Sequence, residues 1–244
     1  MAFIAECSQS GTVEKYIIIA DGACSKNPGP GGWGLIVIDP AGLVRELGGH
    51  DDETTNNRME MMGYYRGLQE VYKSVQSKAI PCIVHVITDS KYVMDGASSH
   101  AKRWSKTGWK TVAGGEVKNQ DLWEKILKGQ ELFEARKCRI EFELVKGHSG
   151  HGGNERVDQI AVRFTHEEPI ELYEGSLASY PVRLEKSAPF GTIYLSFVAG
   201  ELKRHKTWTA CQAAVHGKAS AKFKKVTNAM QEQDILKAWG IHAG

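Results

Sequence analysis

The stretch "KGHSGHGGNERVD" sets His148 and His151 three residues apart, with Glu155 and Asp158 close behind. Two imidazoles beside carboxylates are compatible with a zinc site, with ordinary loop residues, or with part of a centre for a harder metal. Three further acids interrupt apolar stretches: Asp21 ends "YIIIADG", Asp89 ends "CIVHVITDS", and Glu60 lies in the first turns of a helical pattern. Four carboxylates brought to one face would repel strongly unless divalent cations neutralised them. Oxygen donors with few nitrogens suit Mg2+ or Mn2+ better than zinc. No cysteine or third imidazole joins the histidine pair, which weakens the zinc reading.

The elements that must position these acids can be read from local pattern. "YIIIADG" and "CIVHVITDS" are short β-branched runs, the pattern of buried strands, and each ends at a carboxylate. "GWGLIVID" and "LVRELGG" flank a "PAG" turn, as a hairpin does. "NNRMEMMGYYRGLQEVYKSV" places apolar residues at helical spacing, with Thr55 or Asn56 as N-cap. Another helix over "NQDLWEKILKGQELFEA", an alternating strand "CRIEFELV" and a closing helix "NERVDQIAVRFTHE" complete an α/β pattern, a mixed sheet flanked by helices.

These residues carry a resemblance. "DGACSKNPGPGGWG", "TTNNRMEMMG", "TDSKYVMDG", "GWKT…VKNQDLW" and "VKGHSGHGGNERVDQIA" follow the order and spacing of type 1 ribonuclease H over roughly residues 14–165. The resemblance implies a five-stranded mixed sheet and hydrolysis of the RNA strand of RNA–DNA hybrids by two Mg2+ ions about 3.5–4 Å apart, with Mn2+ able to substitute. By the family's motifs Asp21, Glu60, Asp89 and Asp158 are the metal ligands, Asp21 bridging both ions, and the products carry 5′-phosphate and 3′-hydroxyl ends. His148 corresponds to a loop histidine that assists water activation or product release, and His151 to a position without a catalytic role. Gly22, Cys24, Asn27, Asn56 and Ser90 correspond to RNA-strand contacts. Thr55 and Asn119 correspond to a pocket for a DNA phosphate. The basic, acid-free segment 97–110 matches the family's protrusion along the DNA strand, with Lys102, Arg103, Trp104 and Lys106. Two departures stand out: His100 replaces a frequent tryptophan, and Glu53 stands where some relatives carry an arginine. The second predicts a weaker grip on the DNA strand.

The 244 residues, 41% hydrophobic and 25% charged, suit a globular chain of one average domain and a small one. No apolar run approaches the roughly 18 residues that span a bilayer, and the N-terminus lacks a basic, long-apolar leader pattern. Five scattered cysteines without a C-x-x-C pair point to free thiols, and a cytoplasmic, monomeric protein is the expectation. Residues 1–13 are expected to be an extension, 14–167 the catalytic domain, 168–190 a linker with three prolines whose Leu172, Tyr173, Leu177 and Tyr180 could lie on a neighbouring surface, and 191–244 a small α+β domain. That last segment is basic, 8 Lys/Arg against 3 Asp/Glu from residue 190, and a basic module invites a polyanion. Its "TW…C…V.G…AKFKKV" pattern resembles the small hybrid-binding (viroplasmin-like) domain, which implies duplex contacts by Trp208, Phe223, Lys224 and Lys225. A cut near residue 167 is therefore expected to raise KM and spare kcat. The competing class is a non-catalytic binder of hybrid or double-stranded RNA, disfavoured by the complete acid set.

Overall fold

The computed structural model describes residues 13–77, 80–147, 150–184, 192–227 and 229–241. The expected extension 1–13 falls almost wholly outside them, as do residues 185–191 of the expected linker and its junction.

Six strands form the larger sheet: β1 (Glu14–Cys24), β2 (Gly29–Ile38), β3 (Leu43–Thr54), β4 (Cys82–Thr88), β5 (Arg139–Leu144) and β6 (Glu174–Ser176), in the order β5-β4-β1-β2-β3-β6. β1, β2 and β3 make an antiparallel meander, while β4 and β5 run parallel to β1. The mixed sheet agrees with the sequence pattern, but it has six strands rather than five. The extra strand comes from the segment expected to be a linker: Gly175 pairs with Val44 at the sheet edge. Its prolines and glycines disguised three residues of strand, too few to show an alternating pattern.

Helices cover both faces. α1 (Asn56–Val75) begins at Thr55, whose hydroxyl accepts from Arg58 N at 3.4 Å, and ends after eight buried positions that include Met59, Leu68 and Val75. With α4 (Gln120–Glu134) it covers Tyr16, Ile18, Leu35, Val84 and Val86 on one face. Residues of opposite parity, Ile19, Ile36, Val44 and Ile87, face Val157 of α5 (Gly152–Thr165) together with Tyr173, Leu177 and Tyr180. Between β4 and α4 the chain forms α2 (Lys91–Asp95), a wide π turn at Gly96–His100 and α3 (Ala101–Lys106). This first unit extends to Leu184.

The second unit is a three-stranded antiparallel sheet of β7 (Ile193–Val198), β8 (Glu201–His205) and β9 (Lys222–Val226), in the order β8-β7-β9, with α6 (Trp208–Val215) and α7 (Ala229–Ala238). Leu195, Val226 and Leu236 form its small core. No helix among the described residues is long and apolar enough to cross a membrane.

Candidate active site

Asp21 is near the C-terminal end of β1, and 7% of its surface is exposed. Burial pushes its carboxyl well above the usual carboxylate range; Asp89 and Asp158 add to the rise by repulsion, and Glu60 adds less. The amide of Gly22, donating to Asp21 Oδ1 at 2.7 Å, opposes the rise. The three other acids predicted from sequence therefore act electrostatically on Asp21, although they come from α1, the end of β4 and α5. Among the described residues the tightest His/acid group lies elsewhere: His50, Asp52 and Glu167. There Nε2 of His50 pairs with Asp52 at 3.0 Å and Nδ1 meets the Phe164 carbonyl at 2.8 Å, an ordinary surface ion pair.

Close backbone approaches bring the acids together. A Cβ on Gly22 would run into the Glu60 amide and the Met59 backbone, so only glycine lets the end of β1 lie against the first turn of α1. On the other face, a Cβ on Gly34 of β2 would strike the Val157 carbonyl. That bare patch lets α5 settle onto the sheet and carries Asp158 toward Asp21.

Each acid is oriented by neighbours. Glu60 accepts from Asn56 Nδ2 at 2.9 Å and from Ser90 Oγ at 2.5 Å. Burial and the Asp89 charge raise its pKa, and these two hydrogen bonds hold the rise down. Asp89 accepts from Asn154 Nδ2 at 3.1 Å. Asn154 was not singled out in the sequence, although it stands one helical turn before Asp158 and so shares its face. The loop after β5 passes close by, since a Cβ on Gly147 would sit 2.8 Å from Asp89 Oδ2. This loop leads to His148, which lies outside the described residues; His151 is buried.

The residues expected to grip nucleic acid divide into two sets. Ser90 is buried, and its hydroxyl serves Glu60 and caps α2 through Val93 N at 3.2 Å. Its hydroxyl therefore supports Glu60 by donating to it while accepting from the start of α2. Asn56 likewise holds Glu60, and its amide donates to Asn27 Oδ1 at 3.2 Å, which ties the 24–29 turn to the start of α1. Cys24 is half-buried, with Sγ 3.6 Å from the Thr54 carbonyl.

Thr55 and Asn119 are linked by Arg58, whose amide donates to Thr55 Oγ1 and whose guanidinium reaches Asn119 Oδ1 at 3.5 Å. The same guanidinium makes a two-pronged ion pair with Asp121, both contacts 2.9 Å. Asn119 adopts a left-handed conformation (φ 59°) and donates to the Tyr92 hydroxyl at 3.1 Å. Arg58 and Tyr92 lie inside quoted motif blocks but were given no role from sequence; their role comes from contacts across the fold. On the protrusion Lys102, Arg103 and Lys106 are exposed, while Trp104 turns one side toward Trp123, ring centres 6.1 Å apart. Trp104 is thus partly a packing residue.

In the second unit Trp208 and Phe223 are 41% and 47% exposed, their rings 5.5 Å apart, and Tyr194 lies 5.7 Å from Trp208. The strand pleat sets Phe223 and Lys225 on the face shared with Tyr194 and turns Lys224 to the opposite face, across from Leu195. Lys224 therefore separates from the other three expected duplex contacts.

The family described as RNase H matches residues 13–165. Ribonuclease H of Pseudomonas fluorescens (strain Pf0-1) is 42% identical over 154 residues, 63% of this chain and 92% of that protein. Ribonuclease HI of Pseudomonas syringae pv. tomato is 44% identical over 146 residues, 60% of this chain and 89% of its own length. Among solved structures, LC9-RNase H1, described as a type 1 RNase H with the type 2 active-site motif, superposes with a TM-score of 0.54 at 26% identity, covering 73% of this chain and 90% of that one. The solution structure of the PFV RNase H domain shares the fold at 20% identity and a TM-score of 0.51. With more than half of its length matched, and with the buried acid centre at the ends of β1 and β4, this chain belongs to the ribonuclease H family and is a ribonuclease H enzyme.

Proposed function

We propose that the protein hydrolyses the RNA strand of RNA–DNA hybrids at the centre formed by Asp21, Glu60, Asp89 and Asp158, using two divalent cations, Mg2+ first. The observation that carries this reading is the gathering of acids around Asp21, which is 7% exposed and is acted on by Asp89, Asp158 and Glu60: such a cluster must either hold protons or be neutralised by cations. The donor set fits, being oxygen throughout. The chemistry supplied by cations bound there is charge neutralisation around the scissile phosphate and activation of water for in-line attack.

The chain's own residues do the rest. Asn56 and Ser90 fix Glu60, Asn154 fixes Asp89, and the Gly22 amide fixes Asp21, so the ligand oxygens are held before substrate arrives. Arg58 holds Asn119 beside Thr55 as a cradle for one DNA phosphate, and Lys102, Arg103 and Lys106 extend this track. The turn around Cys24 and Asn27 lies on the RNA side, where 2′-hydroxyls distinguish the strands. His148, outside the described residues, serves water activation or product release.

In the second unit, Trp208, Tyr194 and Phe223 offer apolar faces to sugars while Lys225 meets phosphate, giving duplex affinity with little sequence readout. The test is cleavage of a labelled uniform hybrid with Mg2+, alongside a DNA–RNA–DNA/DNA duplex holding one ribonucleotide. The hybrid is expected to be cut to 5′-phosphate products and the single ribonucleotide to be left intact. Tight hybrid binding with no metal-dependent cutting would establish the non-catalytic binder instead.

A further inference from the structure

Immediately after α5 the chain turns back as a strap, residues 171–184, and its hydrogen bonds converge on one buried acid. The Glu46 side chain, on β3, is 1% exposed. It accepts from Arg156 Nε at 2.8 Å and Arg156 Nη2 at 2.6 Å, from the Tyr180 hydroxyl at 2.6 Å and from the Tyr173 amide at 2.9 Å. Burial alone would push its carboxyl up, but these donors outweigh burial and hold it below the usual range, so it stays ionised. Arg156 also donates to the Glu171 carbonyl at 2.7 Å. Further along, the Arg183 carbonyl lies so near Gly152, the first residue of α5, that a Cβ there would overlap it. The strap therefore holds α5 at two places: at its start, and at Arg156.

Arg156 and Asp158 are two residues apart on α5, about 200° around the helix. The Glu46 pair thus fixes the rotation of α5 from one side, while Asp158 projects from the other toward Asp21. A helix turn of about 10° moves a carboxylate about 5 Å from the axis by about 1 Å, and a displacement of about 1 Å at a reacting centre can cost about a hundredfold in rate. Asn154, which orients Asp89, lies on the same helix between the two anchor points.

We infer that the strap is a positioning element of the catalytic centre: Tyr173 and Tyr180, acting through Glu46 and Arg156, set the rotation of α5 and with it the placement of Asp158 and Asn154. The inference rests on the four-carboxylate reading above. Tyr180, Glu46 and Arg156 are positioning residues that act through α5.

The test uses the full chain with Tyr180→Phe, which deletes one donor and keeps the ring, and Glu46→Gln, which keeps shape and removes charge. Mn2+ binding to the substrate-free protein is measured by calorimetry, with kcat and KM for hybrid and the melting temperature measured in parallel. The expected result is Mn2+ affinity and kcat each lower by about tenfold, the scale seen when supports of metal ligands are removed, with KM unchanged. A lower melting temperature with parental Mn2+ affinity and kcat overturns the inference. Should Glu46→Gln fail to fold, Tyr180→Phe decides by itself. Asp158→Asn separates the two readings: its loss of Mn2+ binding and cleavage beside an unaffected Tyr180→Phe overturns positioning alone, whereas survival of both activities overturns the carboxylate centre and positioning together.

Discussion

The Asp21 carboxylate is destabilised first by its burial in the fold and then by its acidic neighbours. Its folded pKa is raised by burial, Asp89, Asp158 and Glu60, so the folded state holds this proton more tightly than the unfolded chain. Without metal, the resulting penalty is present in full above the folded pKa and fades as pH falls through it toward the unfolded value. Asp21→Asn is therefore expected to stabilise the metal-free protein at about pH 8 by about 1 kcal/mol, a common size for one stabilising change. The advantage should shrink toward about pH 5. Melting curves in chelator across that range check the sign, and a variant less stable than its parent at high pH contradicts it. The same substitution should lower hybrid cleavage by at least about 10²–10³-fold.

At the scale of elements, the centre depends on α5 lying flat on β2. Gly34→Ala puts a methyl group into the Val157 carbonyl, and overpacking of this kind costs about 1–3 kcal/mol. Denaturant unfolding should show that loss, and cleavage should fall with it because Asp158 moves with the helix. At the end of β3 the run Asp51, Asp52 and Glu53 is exposed beside the start of α1. Asp51 acts electrostatically on Arg58, one of the residues that organise the proposed phosphate cradle. Glu53→Arg removes a negative charge and adds a positive one next to this cradle. We expect KM for hybrid to fall by about threefold at low salt, the difference narrowing as salt rises; an unchanged KM places the DNA strand elsewhere.

For the whole molecule, the proposed division of labour is affinity from the second unit and chemistry from the first. Phe223→Ala removes an exposed ring from the aromatic face. It should raise KM by about fivefold or more, given about 1–3 kcal/mol for an aromatic stacked on nucleic acid, with kcat unchanged. Lys225→Ala should also raise KM and flatten the salt dependence, whereas Lys224→Ala, on the opposite face, should do less. The boundary for separating the units shifts as well. A cut near residue 167 removes β6 and the strap from the catalytic sheet, so a chain ending at Leu184 is the one expected to keep kcat.

The acids and their elements were legible in the sequence because each depends on a local pattern. Asp21 and Asp89 end apolar β-branched runs, Glu60 and Asp158 fall in the first turns of periodic helices, and the motif spacing connects all four to a family. The Asn56–Glu60 contact follows from helical spacing alone. What supports the acids was not legible. Ser90 is seen to prop Glu60 only once the start of α2 lies against α1. Arg58 finds Asp121 and Arg156 finds Glu46 across 63 and 110 residues, and one sequence carries no periodic trace of such pairs. The strap read as a linker, with tyrosines able to lie on a neighbouring surface, because its three-residue strand and their partner Glu46 emerge only against β3. The sequence by itself determined which side chains could bind metal and on which elements they sit, since these follow from short-range geometry. Tertiary structure alone decided how those elements are held in place, because long-range pairing is settled by the packing of distant surfaces.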